Sequence, residues 1–186
     1  MPSNKEFTFK IVMVGNRGVG CRSLLAQTTT PSFTVAFSEE FGTNIAVSDF
    51  IFPPLQVRLV VWNILDISTG RFLRKFFSRG ANGILYVFNV RDQSSFEAIP
   101  KWRNEIQSHQ SDLPAVLVGT HIDQPEQRVV SFYEAAKFAE AHHMPYFDTS
   151  IHNGPTLTNP LRTLTYALAK RSITQFGEEY VIQEST

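Results

Sequence analysis

Short runs dense in β-branched and aliphatic residues alternate along this chain with stretches whose apolar positions recur at helical spacing. The runs Phe9–Val14, Asn44–Phe52, Leu55–Trp62, Gly83–Val90, Ala115–Gly119 and Tyr146–Thr149 read as strands. Gly20–Gln27, Ser95–Ser108, Ser131–His142 and Asn159–Lys170 read as helices. Such alternation predicts an α/β fold, a mostly parallel six-stranded sheet with helices on both faces. Pro53 and Pro54 separate two strand-like runs at hairpin distance, so that edge pair is expected to be antiparallel. Pro100 fits a helix only in its first turn, which moves the regular start of the Ser95–Ser108 segment towards Ile99. From Ser172 the chain turns polar.

Composition narrows the picture. A chain of 186 residues, 42% hydrophobic, is long enough for one well-buried core and short for two, giving a domain over 1–173 and a polar tail over 174–186. Lys+Arg and Asp+Glu both number 17, which removes any long-range electrostatic attraction to nucleic acid or an anionic membrane. Association with other molecules then needs a shaped patch. A single cysteine, Cys21, forms no internal disulfide, and MPSNKEF has no apolar signal stretch, so a cytoplasmic location is expected. No window has the apolar length of a membrane span, and the closing residues hold no cysteine for a prenyl group. No direct lipid anchor is expected, and membrane contact would come through partners.

Chemistry concentrates first in FKIVMVGNRGVGCRSLL, residues 9–25. Phosphate loops of the form GxxxxGK[ST] wrap phosphates in glycine N–H groups, set a lysine ammonium on the outer phosphates and hold magnesium with a hydroxyl. Gly15, Gly18 and Gly20 keep the backbone part, but Cys21 stands at the lysine position and Arg22 at the hydroxyl position.

Further segments carry a resemblance to the Ras superfamily of small GTPases, and within it to the Rab branch. They are LVVWN where that family reads WDTAG, FFSRGANGILYVFNVRDQSSFEAI over the fourth strand and next helix, AVLVGTHID where it reads VGNKxD, and FDTSIHNG where it reads ETSAK. The resemblance implies a three-layer P-loop G domain. It also implies nucleotide-binding positions at Gly15, Asn16, Arg17, Gly18, Val19, Gly20, Cys21, Arg22 and Ser23, then Phe33, Thr120, His121, Asp123, Ser150, Ile151 and His152.

On the base side the resemblance implies that Asp123 accepts hydrogen bonds from guanine, that Ser150 steadies it, that the Ile151 N–H meets the guanine carbonyl and that Phe33 packs on the ring. Thr120 and His121 replace the asparagine and lysine of NKxD, and His152 replaces the lysine of SAK. A plainer reading makes Asp123 a turn cap and Phe33 a core residue.

On the phosphate side, Glu40 falls at the magnesium-binding switch threonine and Asn63 at the aspartate of WDTAG. Asp66 falls at its glycine, and Ile67 at the glutamine that aligns the attacking water. No catalytic residue or metal ligand remains, so magnesium is not expected and GTP hydrolysis is expected to be absent or very slow. The replacements pair in sign: Arg22 with Glu40 or Asp66 could stand where the metal would be. Both acids pointing into water is the competing reading.

Weaker signals complete the survey. Cys21 at a helix N-terminus beside Arg22 is expected to be more acidic than an ordinary thiol, yet no histidine base is indicated near it. His142 and His143 are adjacent, so they point to different helix faces and make no metal site. The 16 phenylalanines read as core filling. Ile45, Trp62 and Phe77 match the aromatic trio that Rab proteins show to effectors, so effector-like proteins at the switch surface are the expected partners. The chain reads as an atypical Rab-like protein-binding module that holds GDP or GTP weakly. The alternative is a slow, magnesium-independent GTP/GDP switch.

Overall fold

The computed structural model describes residues 5–27, 34–38, 43–53, 55–64, 71–108, 112–152 and 157–175. The expected strands are present: β1 (Lys5–Val14), β3 (Thr43–Phe52), β4 (Leu55–Ile64), β5 (Gly83–Asn89), β6 (Ala115–Thr120) and β7 (Tyr146–Asp148). A further short strand, β2 (Thr34–Ser38), extends the edge, giving the order β2-β3-β4-β1-β5-β6-β7. Its five-residue TVAFS run is too brief to stand out by period alone. The hairpin reading of Pro53 holds in pairing, since β3 and β4 are antiparallel with Phe52 opposite Leu55 and Ile45 opposite Trp62. Pro54 lies outside the described residues. From β4 through β1, β5 and β6 to β7 the pairing is parallel.

Period-two alternation explains the layers. Along β1, Ile11 and Met13 enter one apolar cluster while Val12 and Val14 enter the other; β5 divides likewise, Leu85 and Val87 against Ile84, Tyr86 and Phe88. The first cluster is closed by Leu24 and Leu25 of α1 (Cys21–Gln27) and by Leu161, Leu164 and Leu168 of α6 (Thr158–Gln175). The second is closed by Phe77 of α2 (Arg71–Ser78), Phe96 of α3 (Gln93–Glu97), Trp102 of α4 (Ile99–Gln107) and Ala135 of α5 (Phe132–Ala141).

The helices differ from expectation in three places. The Ser95–Ser108 segment is two helices, α3 capped by the Asp92 carboxylate on the Ser94 N–H, and α4 carrying Pro100 in its first turn where no N–H partner is lost. Helix α2 was not predicted, its eight residues forming little more than two turns. Helix α6 runs on to Gln175 with Ile173 buried against the core, so residues 172–175 are helix and not tail.

Candidate functional site

The loop after β1 is shaped by what its backbone must approach. A Cβ on Gly15 would collide with the Val87 carbonyl of β5, so only glycine lets the chain turn there. Gly18 and Gly20 both hold φ of +89°, a backbone that side-chain-bearing residues rarely adopt. Past Gly20 the helix α1 begins at once, its Leu24 N–H bonding the Gly20 carbonyl at 2.9 Å. Asn16 is held from the far side of the sheet, its Oδ1 accepting the Trp102 indole N–H at 3.0 Å. Arg17, Arg22 and Ser23 are exposed on this loop and first turn.

Cys21 is where expectation fails. Its side chain is buried in the first apolar cluster, and burial pushes the thiol up to about 12, outweighing the favourable hydrogen bond from its own backbone N–H. The site therefore has a neutral, inert sulfur where the sequence suggested an acidic one. Desolvation wins over the end of a seven-residue helix.

The loop is tied to the ends of β6 and β7 through Thr120. This buried hydroxyl lies 2.7 Å from the Val19 carbonyl oxygen, 3.0 Å from that of Phe88 and 2.8 Å from His121 Nδ1. A hydroxyl has one proton. Donating it to a carbonyl leaves the oxygen to accept from Nδ1–H, which fixes the His121 tautomer and turns its Nε2 lone pair away from Thr120. His121 itself has φ of +62°, and a Cβ on Gly20 would meet its Cε1 at 3.2 Å, so the imidazole lies across the loop. Burial first, then the charge of Arg91, lower its pKa against the opposing pull of Asp123, so the ring is neutral near pH 7.

Asp123 and Ser150 come together as the resemblance implied, although the Ser150 Oγ to Asp123 Oδ1 distance is long at 3.4 Å. The His152 N–H donates to Ser150 Oγ at 3.1 Å, which ties residues 150–152 together after β7. Ile151 joins Gly20, Ser23, Leu24, Thr120, His121 and Thr149 around a narrow space of about 20 Å³ between the two loops.

Asn63, at the end of β4, is fully buried, and neither its amide nitrogen nor its oxygen has a hydrogen-bond partner among the described residues. An orphaned amide at the edge of a phosphate loop fits a polar group arriving there. Phe33, Glu40, Asp66 and Ile67 lie outside the described residues. Ile45 and Trp62 are half-buried neighbours across β3 and β4. Phe77 lies tilted against Trp62, ring centroids 6.0 Å apart, but is 7% exposed, so it is core; the aromatic turned outward is Phe76, 64% exposed. The expected outward trio is thus a pair flanked by Phe76.

The fit to ligands divides along the site. Glycine N–H groups, the Asp123–Ser150 pair and the Ile151 backbone suit a guanine nucleotide. Magnesium suits the described donors poorly: a neutral thiol, a guanidinium without a lone pair and a neutral amide offer no anionic oxygen. Among the described residues no helix is long and apolar enough to cross a membrane.

Comparison with known proteins agrees with the geometry. The model of the Ras family matches residues 10–170. The chain is 28% identical over 176 residues to GTP-binding protein YPT1 of Saccharomyces cerevisiae, spanning 94% of this chain and 85% of that protein. It is 26% identical to ypt1 of Schizosaccharomyces pombe over 89% of this chain and 82% of the relative. Ras-related protein Rab-8B of Dictyostelium discoideum is 28% identical over 92% and 85% respectively.

Proposed function

This chain belongs to the Ras family, and on that premise we propose that it is a Rab-like G domain that works mainly by binding partner proteins. In this reading it holds guanine nucleotide weakly, without magnesium, and turns over GTP very slowly or not at all. The observation that carries it is the buried, neutral Cys21 where the family's phosphate-binding cation stands. Loss of one charge-assisted hydrogen bond costs about 1.5–3 kcal/mol, roughly ten- to a hundredfold in affinity. What remains on the base side supports residual guanine recognition. Partners would meet Ile45 and Trp62 on β3 and β4 together with Phe76 on α2, in a vesicle-trafficking type of role. The location is cytoplasmic, and membranes are reached through those partners.

Arg22 paired with Glu40 or Asp66 would hold the switch segments in the place of a metal. Unchanged stability and unchanged hydrogen exchange in Arg22→Ala would exclude that pair. The second reading, a slow magnesium-independent switch, draws on the intact glycine cradle and the Asp123–Ser150 contact. Denaturing the purified protein and resolving the supernatant by anion exchange separates the two, since stoichiometric GDP favours the switch. Calorimetric titration with GDP and GTP should then give weak binding, equal with and without magnesium. Tight, magnesium-dependent binding, or GTP cleavage at the rate of ordinary relatives, would overturn both readings.

A further inference from the structure

A second concavity lies at the opposite end of the sheet from the phosphate loop. It opens where β5 and β6 begin and is bounded by the closing turns of α4, α5 and α6, with room of about 250 Å³. Its wall includes Tyr86, which is 1% exposed, and whose hydroxyl has no hydrogen-bond partner among the described residues. The hydroxyl is thus available to donate to a polar group that enters the cleft.

Charge at the cleft is positive. Arg103 is half-buried and forms no ion pair among the described residues. Arg171 sits at the mouth, tethered to Asp112 through its carbonyl oxygen at 2.6 Å and its carboxylate at 3.3 Å. Burial first, then the charges of Arg103 and His143, lower the pKa of His142, a crowding that an anion would relieve.

The backbone is strained at the same place. His143 takes φ of +55° to close α5, with its N–H on the Glu140 carbonyl and that of Met144 on Ala139, in a turn where glycine is usual. Asp112 has φ of +61°. Two of the three non-glycine residues with left-handed backbone among those described therefore flank this cleft, the third being His121.

We propose that this cleft binds a phosphate monoester of a small organic molecule, its dianion held by the Arg103 guanidinium and the Tyr86 hydroxyl, its body against Met144. A guanidinium fork matches phosphate oxygens in pairs, and a neutral hydroxyl adds a donor without further charge. The volume is below the roughly 300–1,000 Å³ of drug-sized sites, which selects a small ligand. This inference does not depend on the nucleotide site.

The test is titration of the isotopically labelled full chain with phenyl phosphate, followed by NMR, beside acetate as a carboxylate control. Saturable shifts around Tyr86 and His142 are expected, weakened at least about tenfold in Arg103→Gln and several-fold in Tyr86→Phe. The phenylalanine variant keeps the fold, because the hydroxyl it removes has no hydrogen-bond partner among the described residues. It should also gain less thermal stabilisation from a given concentration of phenyl phosphate than the parent does. Co-sedimentation with phosphatidic acid vesicles, absent with phosphatidylcholine and lost in Arg103→Gln, would assign the monoester to a lipid headgroup. Shifts with phenyl phosphate and no co-sedimentation would assign it to a soluble molecule. No saturable shift and no vesicle binding, an equal response to acetate, or unchanged binding in Arg103→Gln would overturn the proposal.

Discussion

Removing the Thr120 hydroxyl tests whether that one atom fastens the phosphate loop to the base side. Valine keeps the branched shape, so Thr120→Val changes little but the oxygen. That oxygen is buried and lies within 3.0 Å of two carbonyls and of His121 Nδ1. The Val19 carbonyl, at 2.7 Å, loses its side-chain donor, and the Nδ1–H loses its acceptor. A buried group left without a partner costs about 1–3 kcal/mol. His121 is half-buried and regains some water, which places the sum near 2 kcal/mol, roughly a thirtyfold change in the folding equilibrium. In urea, with a slope of roughly 2 kcal/mol per molar, the midpoint should fall by about 1 M at constant slope. His121→Ala should absorb part of this effect, so the double variant is less destabilised than the sum of the singles. A midpoint that moves by less than about 0.25 M at unchanged slope would refute the assignment of Thr120 as the joint.

Four further outcomes follow from the same geometry. Trp102→Phe deletes the bond to Asn16 and should cost about 1–2 kcal/mol, with faster hydrogen exchange confined first to the phosphate loop; exchange that stays level there would contradict the role given to the indole. Arg128 forms a two-pronged contact with Asp148 at 2.8 and 2.9 Å, each side chain about one-fifth exposed, so Arg128→Ala should lose about 2–3 kcal/mol in denaturant melts, less than a fully buried pair would. Cys21 should react with a thiol reagent at pH 8 only as fast as the protein opens, and labelling at the rate of a model thiol would show that burial has been misread. Because the folded His121 pKa is lowered from 6.5, its contribution to stability is full above about pH 6.5 and declines as pH falls from there through the folded value. His121→Asn should flatten that decline in stability measured from pH 7.5 to 5.

Much of the fold was legible because it is written at short range. Alternation in β1 and β5 assigns each side chain to one face of the sheet without knowledge of the other strands, and Pro100 marks a helix start wherever the chain goes. The glycine spacing of residues 15–20 and the replacements at Cys21 and Arg22 are likewise properties of the string. Elements near two turns or five residues, α2 and β2, fall below what period can resolve.

Tertiary structure alone decided the rest, since burial and contact belong to segments far apart in the chain. Sequence order makes Cys21 the start of a helix beside a cation, which would acidify it; only burial in the apolar cluster that the fold assembles reverses the sign. Asn16 and Trp102 stand 86 positions apart, and Thr120 reaches Val19 across 101. Phe76 and Phe77 are indistinguishable as letters, yet one faces outward and the other fills the core, because a helix turns adjacent residues by about 100°.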